Sequence, residues 1–569
     1  NVLIAKQAIV SPEGTAVSLY GYLSGTSCNN AITEYGFVYC QGSATQGCIP
    51  KRNSPRIRVQ GGVTHLVRGD EFSVENYDGL VQGYTYGYKA YVMMGDMMML
   101  SDETGYFTLA DCTTRPVKGS PLTYTIDASL GVTYENACNL TYGSLETAIK
   151  RLKESYNDED PQYQYVTKNG DSYNLNQDVT MNVRFYDDSP DVTGSAYAYA
   201  GTTKVTSAGS DKVDGGTNLA LLIDFINLNA TDDYTLTIKA DNPNAQPWVH
   251  HPIIRNSRNI TLDGLAMYSD PTGKINDCAF EIDVNTTKWD GIKLGQVANA
   301  NILIKNCYIG SSGFSGVHVS GYDGVTFVNN EFEATFDKGT SNDKEWGASA
   351  KFMTTKNVKF INNNFRGDHC TLLWIQECQN MLFMNNVFWN TNKFMDVNYT
   401  PSAIRLVTQF GTDLQNIGVF YNTSYFAANT TTSESKYDFM SFKVGSGATS
   451  GGNSDFMVDS IYFKYNNCYS YDVDCPGRSS NAFLGITLPD DNFCGNNFWS
   501  EYDVVQGNDV SAFKFGCGES KFVDVSAQVC ETTATGPASL VIKGEKLNLG
   551  TPLTAEDILD ATEITVTEE

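Results

Sequence analysis

The sequence predicts an all-β chain: an N-terminal immunoglobulin-like β-sandwich followed by a right-handed parallel β-helix. Three observations predict it. Short apolar runs alternate with turn residues over residues 1–115. A strand-and-asparagine pattern then recurs with a period near 23 residues. Tyr (33) and Phe (29) are abundant while Pro (16) is scarce, a mixture that favours strands. At 569 residues the chain outgrows one ordinary core, so it needs several domains or growth by repetition. The expected division is 1–115 sandwich, 116–535 β-helix and 536–569 a C-terminal cap or tail.

In the first segment the candidate strands are Ala16–Leu23, Glu34–Cys40, Glu71–Val74, Tyr84–Met94 and Tyr106–Leu109. Leu80, a Gly83 turn and a Tyr opening a long strand form the arrangement of a tyrosine corner. Tyr86 is the candidate for that role. Glu34–Tyr39, Tyr84–Val92 and Tyr106–Leu109 resemble the fibronectin type III-like modules of Bacteroidetes surface proteins, which usually act as spacers. The chain departs from that pattern in Cys28, Cys40 and Cys48 and in the Met-rich run Met93–Met99. Methionine filling core gaps is the expected reading of that run, with a partner-binding patch as the alternative.

The repeat reads Asn301–Ile309, Gly324–Phe332, Asn357–Phe365 and Asn380–Phe388, with looser copies from Asn259, Asn416 and Ser460. Apolar residues alternate within each copy, so each is a strand with one buried face. So short a strand buries little alone, and stacking copies about 4.8 Å apart completes both ladder and core. Asn306, Asn329, Asn362 and Asn385 fall at one repeated place after the strand. There Asn tolerates a left-handed turn, and stacked amides can bond from coil to coil. Leucine-rich repeats and propellers have other offsets and periods. Residues 120–535 therefore resemble the pectate-lyase-like parallel β-helix superfamily.

A helix is expected near residues 144–155, with Ser144 as N-cap, Thr147 at N3, and Leu145, Ala148, Ile149 and Leu152 on one face. It would cap the open end of the solenoid, where bare strand edges invite aggregation. Ala538–Ile542 and Glu563–Thr567 are expected strands around a short Thr554–Leu559 helix.

The formal charge of −26 repels phosphate backbones and anionic lipid, which argues against nucleic acid as a partner. Charged residues are only 18%, and the acidic balance reads first as solubility, with divalent cation binding as the sharper alternative. Among fourteen Cys, the pairs Cys40/Cys48, Cys370/Cys378, Cys468/Cys475 and Cys517/Cys530 are spaced to close short loops. No CxxC or zinc-type Cys/His spacing occurs, so disulfides in an oxidising compartment are the better account. No apolar stretch is long enough for a transmembrane helix. The Asn-Val-Leu-Ile start reads as a trimmed or mature secreted protein.

The resemblance implies a site on the outer face of neighbouring coils, beside the turns. Lyases of the superfamily use Lys or Arg as base, often with calcium held by carboxylates; hydrolases use two or three Asp. No cofactor is read from the residues themselves, and calcium is the one the resemblance admits. The residues after the repeated Asn give Lys338, Arg366, Asp368, His369 and Lys393 as candidate catalytic groups. Trp346, Asp337, Asp396 and Tyr399 are candidate carbohydrate contacts. Mixed charge of this kind suits proton abstraction beside a uronate carboxylate. The same charges equally well keep solvated turns soluble. His250 and His251, adjacent on a strand, should point to opposite faces and hold no common metal.

Two functions follow as expectations. One is a secreted, surface-associated protein that binds or cleaves polysaccharide or cell-surface glycan. The other is a structural or adhesive rod that assembles with copies of itself or another surface protein.

Overall fold

The computed structural model describes residues 2–12, 14–24, 32, 34–59, 70–94, 97–110, 115–130, 134–185, 199–200, 203–205, 218–268, 278–284, 292–311, 315–334, 348–367, 371–389, 402–408, 414–427, 438–444, 460–464, 466–471, 493–494, 497–500, 521–522, 528–533, 536–542 and 545–546. Two compact units divide the chain. The first is Asn1–Thr167 with Asn176–Asp187, the second Lys168–Leu175 with Asp188–Glu569.

The first unit opens with two antiparallel sheets. One contains β1 (Val2–Ala5), β2 (Ile9–Val10), β3 (Val17–Ser24) and β6 (Glu71–Tyr77), with β3 pairing all three others. The other contains β4 (Glu34–Gln41), β5 (Arg56–Arg58), β7 (Thr85–Met94), β8 (Met97–Leu100) and β9 (Gly105–Thr108). Inner faces meet in a core that includes Val17, Leu19, Phe37, Phe72, Tyr86, Tyr88 and Phe107. All five expected strands are present within one to three residues at either end. The short edge strands β5 and β8 carried too little alternation to be read. Tyr86 is buried and donates its hydroxyl to the Val81 carbonyl at 3.0 Å, as a tyrosine corner requires. Alternation splits the Met run: Met94 and Met99 pack on the main core, while Met93 and Met98 join Val38 and Tyr91 on the other face of the sheet.

The core of this unit reaches past the sandwich to Leu130 and Tyr134, and Asn136 Nδ2 donates to the Leu80 carbonyl at 2.6 Å. The expected helix, α1, runs Leu145–Glu154, and Ser144 Oγ accepts from the Thr147 amide at 3.1 Å. Its four apolar residues are buried as expected. It packs on the parallel pair β10 (Leu122–Ile126) and β11 (Thr141–Tyr142).

The second unit is a parallel β-helix built from three parallel ladders. Sheet A contains Ile260–Asp263, Ile302–Lys305, Asp323–Val328, Lys356–Ile361, Gln379–Met384, Gln415–Phe420 and Ile461–Lys464. Sheet B contains Ala266–Tyr268, Tyr308–Ser311, Glu331–Ala334, Asn364–Gly367, Val387–Trp389, Thr423–Ala427 and Asn467–Tyr471. Sheet C contains Pro252–Arg255, Cys278–Asp283, Ser315–Ser320, Ala348–Met353, Thr371–Gln376, Ser402–Thr408 and Asp438–Val444. The chain runs C to A to B in each coil. Every copy of the sequence repeat is thus an A strand, a two-residue turn and a B strand. Stacked aromatics fill the core: Phe327 lies 4.6 Å from Phe360, and Phe332 lies 4.5 Å from Phe365.

Asn306, Asn329, Asn362 and Asn385 all take φ near +55°, the left-handed turn expected of them. The continuous amide ladder, however, belongs to the next residue. Asn330, Asn363, Asn386, Asn422 and Asn466 are buried, and each donates Nδ2 to a carbonyl of the preceding coil. Each of the first four also donates to the Oδ1 of the next Asn, at 2.9–3.1 Å. Cys307 takes the corresponding place one coil earlier.

Cys40 and Cys48 form the expected disulfide. The Cys370/Cys378 pairing is corrected: Cys378 is a buried free thiol. It occupies the second position of a C-to-A turn, where Ser257 and Thr355 sit in other coils. All three bond the carbonyl two residues back, Cys378 to Gln376 at 3.2 Å. The site is a packed turn position, which explains the free thiol. Cys370, Cys475 and Cys517 lie outside the described residues, as do Thr554–Leu559 and Glu563–Thr567. Cys468 and Cys530 lie in strands Asn467–Tyr471 and Gln528–Thr533. Cys138, in none of the expected pairs, is also disulfide-bonded. Gln528–Thr533, Gly536–Ile542 and Glu545–Lys546 form a separate antiparallel sheet. Among the described residues no helix is long and apolar enough to cross a membrane.

Candidate functional site

Sheet C carries a row that the Asn-flanked repeat does not contain. Coil-to-coil register places Glu281 opposite His318, His318 opposite Lys351, Lys351 opposite Trp374 and Trp374 opposite Arg405. Neighbours at alternate positions, Val319, Phe352, Ile375 and Leu406, are buried in register with one another. Phe352 meets the core rings Phe327 and Phe360. Alternation therefore turns the charged row outward.

Outward here does not mean wet. Cys278–Asp283, Ser315–Ser320 and Ala348–Met353 are buried at every position, and Arg405 is the most open member of the row at 7%. In so dry a place a charge needs a partner. Glu281 Oε1 lies 2.7 Å from His251 Nε2, and Arg255 grips Asp283 through two bonds of 2.6 and 2.7 Å. Lys351 Nζ lies 5.2 Å and Arg405 Cζ 5.7 Å from the Trp374 ring, within cation–π range. Trp374 Nε1 donates to Gln376 at 3.2 Å. Coils approach so closely that a Cβ on Gly316 would lie 2.4 Å from the Ser349 carbonyl oxygen.

Burial sets the protonation states. It holds the His318 imidazole down to about 3, and Lys351 pushes the same way, so the ring is neutral. Burial also pushes the Asp283 carboxyl up, against the pull of Arg255. The row thus runs from Glu281, bonded to His251, past a neutral imidazole, to Lys351 and Arg405 beside the Trp374 indole.

Of the catalytic and carbohydrate-contact residues expected from sequence, Arg366 alone lies among the described residues. Asp337, Lys338, Trp346, Asp368, His369, Lys393, Asp396 and Tyr399 lie outside the described residues, in stretches that join a B strand to a C strand. Arg366 lies on sheet B, its backbone in register between Glu333 and Trp389. His250 ends one strand and His251 stands in the turn to the next, with ring planes at 90° and only His251 buried, so the two do not share one strand as expected. Among the described residues no group of three or more His, Cys, Asp or Glu is placed to hold a metal.

A signal for the missed row does exist. Phe280-Glu281-Ile282, Val317-His318-Val319, Ala350-Lys351-Phe352, Leu373-Trp374-Ile375 and Ile404-Arg405-Leu406 each set one polar or aromatic residue between two apolar ones. Without Asn to mark the strand and with unequal spacing, the five do not read as one element.

No family model and no curated protein matches the chain. Among solved structures, a family 28 exopolygalacturonase from Yersinia enterocolitica matches over 87% of this chain and 91% of that one, at 11% identity and a TM-score of 0.20. The overlay is that loose, so the fold assignment stands on the strand pairing above.

Proposed function

We propose that this protein is an extracellular, surface-associated β-helix that binds polysaccharide, with the sheet C row, buried as it stands, meeting the ligand once what covers it is displaced. The row itself carries the reading: Glu281, His318, Lys351, Trp374 and Arg405 stand in register across five coils. That is the arrangement an extended chain of repeating units needs. Lys351 and Arg405 suit acidic sugars, and a dry setting strengthens them over the acidic remainder of the surface, which salt screens beyond about 8 Å.

Binding is favoured over cleavage because Glu281 is hydrogen-bonded to His251 and Asp283 is paired with Arg255. Were the protein an enzyme, a lyase-like elimination beside a uronate would be its chemistry. The disulfides support an oxidising compartment. Strand order and the tyrosine corner support a fibronectin type III-like spacer. One observation favours the alternative of a rigid, non-catalytic rod: the row is shut from solvent.

The test is binding of the whole protein to a panel of acidic polysaccharides, with release of unsaturated uronate followed in parallel. Lys351→Gln with Arg405→Gln should weaken binding by about tenfold or more. Replacing Lys338, Arg366 and Lys393 together asks whether sheet B and the B-to-C connections contribute. Absence of binding by the unmodified protein would remove the reading.

A further inference from the structure

We propose that the outer edge of β8 is a pairing edge for a second copy of this chain, the two β8 strands running antiparallel about a two-fold axis at Met99. The edge lies in the first unit, so it stands or falls apart from the polysaccharide reading.

Backbone geometry carries it. β8 ends its sheet, with β7 as its neighbour. Hairpin register sets Met94 opposite Met97, Val92 opposite Met99 and Tyr91 opposite Leu100. The next residue, Ser101, donates its backbone N–H to the Ala90 carbonyl at 2.9 Å. Bonded and non-bonded residues alternate along an antiparallel pair, so Met97, Met99 and Ser101 turn their N–H and C=O groups towards β7. Met98 and Leu100 turn theirs away from it, where no described strand pairs with them.

This edge also lacks the usual protection. Edge strands are kept from foreign pairing chiefly by charge and by Pro. β5 carries Arg56 and Arg58, and β6 carries Glu71 and Glu75. β1 runs into Lys6, which is ion-paired with Glu71. β8 reads Met-Met-Met-Leu, with neither charge nor Pro, and Met97 is 52% exposed.

The occupant follows from the register that the edge permits. A second β8, antiparallel to the first, sets Met98 opposite Leu100 of the second copy and Leu100 opposite its Met98. Both are pairs of the bonded kind, so the outward groups of the two copies satisfy one another. Side chains agree with this. Met98 and Leu100 belong to an apolar cluster with Val38, Tyr91 and Met93 on the outer face of the sheet. Pairing joins the two clusters across the axis and makes one continuous sheet. A two-fold contact uses the same patch on both partners and closes at two copies. The strand is short, so the dimer should be weak, with a dissociation constant on the order of 10 µM. At −26 each the copies repel, so added salt should tighten it.

Sedimentation velocity on the full chain from about 1 to about 200 µM tests this, with hydrogen exchange read at the Met98 and Leu100 amides. A reversible monomer–dimer equilibrium is expected, with both amides protected only at the higher concentration. Leu100→Pro removes an outward N–H and no bond to β7. Met97→Glu puts a charge on the bare edge at an exposed position, so the melting temperature should hold. Each should weaken the dimer by about tenfold or more. A monomer at about 200 µM overturns the proposal. So does a dimer that neither variant weakens, because it would join through another surface. A monomer whose two amides are protected by an added extended apolar peptide would assign the edge to a foreign strand and overturn the second copy as its occupant.

Discussion

Asn363 donates its side-chain amide to Asn386 Oδ1 at 3.1 Å, and the Asn363 backbone N–H reaches the same oxygen at 2.9 Å. One oxygen thus serves two donors of the preceding coil, and the pattern repeats from Asn330 to Asn466. Asn363→Ala leaves the Asn330 backbone N–H and side-chain amide without their acceptor. Each bare buried donor costs about 1–3 kcal/mol, so the loss should be about 2–6 kcal/mol. A lowered denaturant midpoint measures it, and a change under about 1 kcal/mol would show that the ladder is ornamental.

Tyr86→Phe removes the hydroxyl bonded to Val81 and leaves the ring in the core. It should cost about 1 kcal/mol of stability. Chemical denaturation of the whole chain, followed by a probe in the first unit, gives the answer. Equal midpoints would mean the tyrosine corner does not stabilise this sandwich.

Cys378 should behave as a turn residue. Burial pushes its thiol up to about 12, so the thiolate that reacts with alkylating agents is absent at neutral pH. Peptide mapping should find Cys378 alkylated only after unfolding and Cys40 linked to Cys48. Cys378→Ser keeps a donor for the Gln376 carbonyl and should lie within about 1 kcal/mol of the unmodified protein. Finding Cys378 in a disulfide would reverse the assignment.

His318 sets a pH dependence whose sign is fixed. The ring titrates near 6.5 when unfolded and at about 3 when folded. Between those values the unfolded chain binds more protons, so this group lowers stability as pH falls from 6.5 towards 3. The slope is at most about 1.4 kcal/mol per pH unit, and above 6.5 the effect is flat. Asp283, pushed up by burial, acts in the opposite sense at acid pH. The readout is therefore the difference between His318→Gln and the unmodified protein from pH 4 to 7. A parallel pair of curves would show that the ring titrates alike in the folded and unfolded chain.

A ligand that reaches the row has to displace what covers it, because no member is more than 7% exposed. Association should then fall below about 10⁵ M⁻¹s⁻¹, the lower range for unsteered encounters. Stopped-flow binding of a short acidic oligosaccharide measures this, and a faster rate would mean that the row opens freely.

The sequence by itself determined whatever depends on near neighbours in the chain. The left-handed Asn306, Asn329, Asn362 and Asn385, the Ser144 cap, the Tyr86 corner and the A and B strands each follow from local geometry. Only the tertiary structure decided what depends on register between coils. It moved the amide ladder to the second residue of the turn, left Cys378 free and gathered Glu281, His318, Lys351, Trp374 and Arg405 into one row. Those five are spread over more than a hundred residues with unequal insertions between them. What aligns them is the ladder of hydrogen bonds from strand to strand, which absorbs insertions in the connections and fixes each sheet C strand against the next.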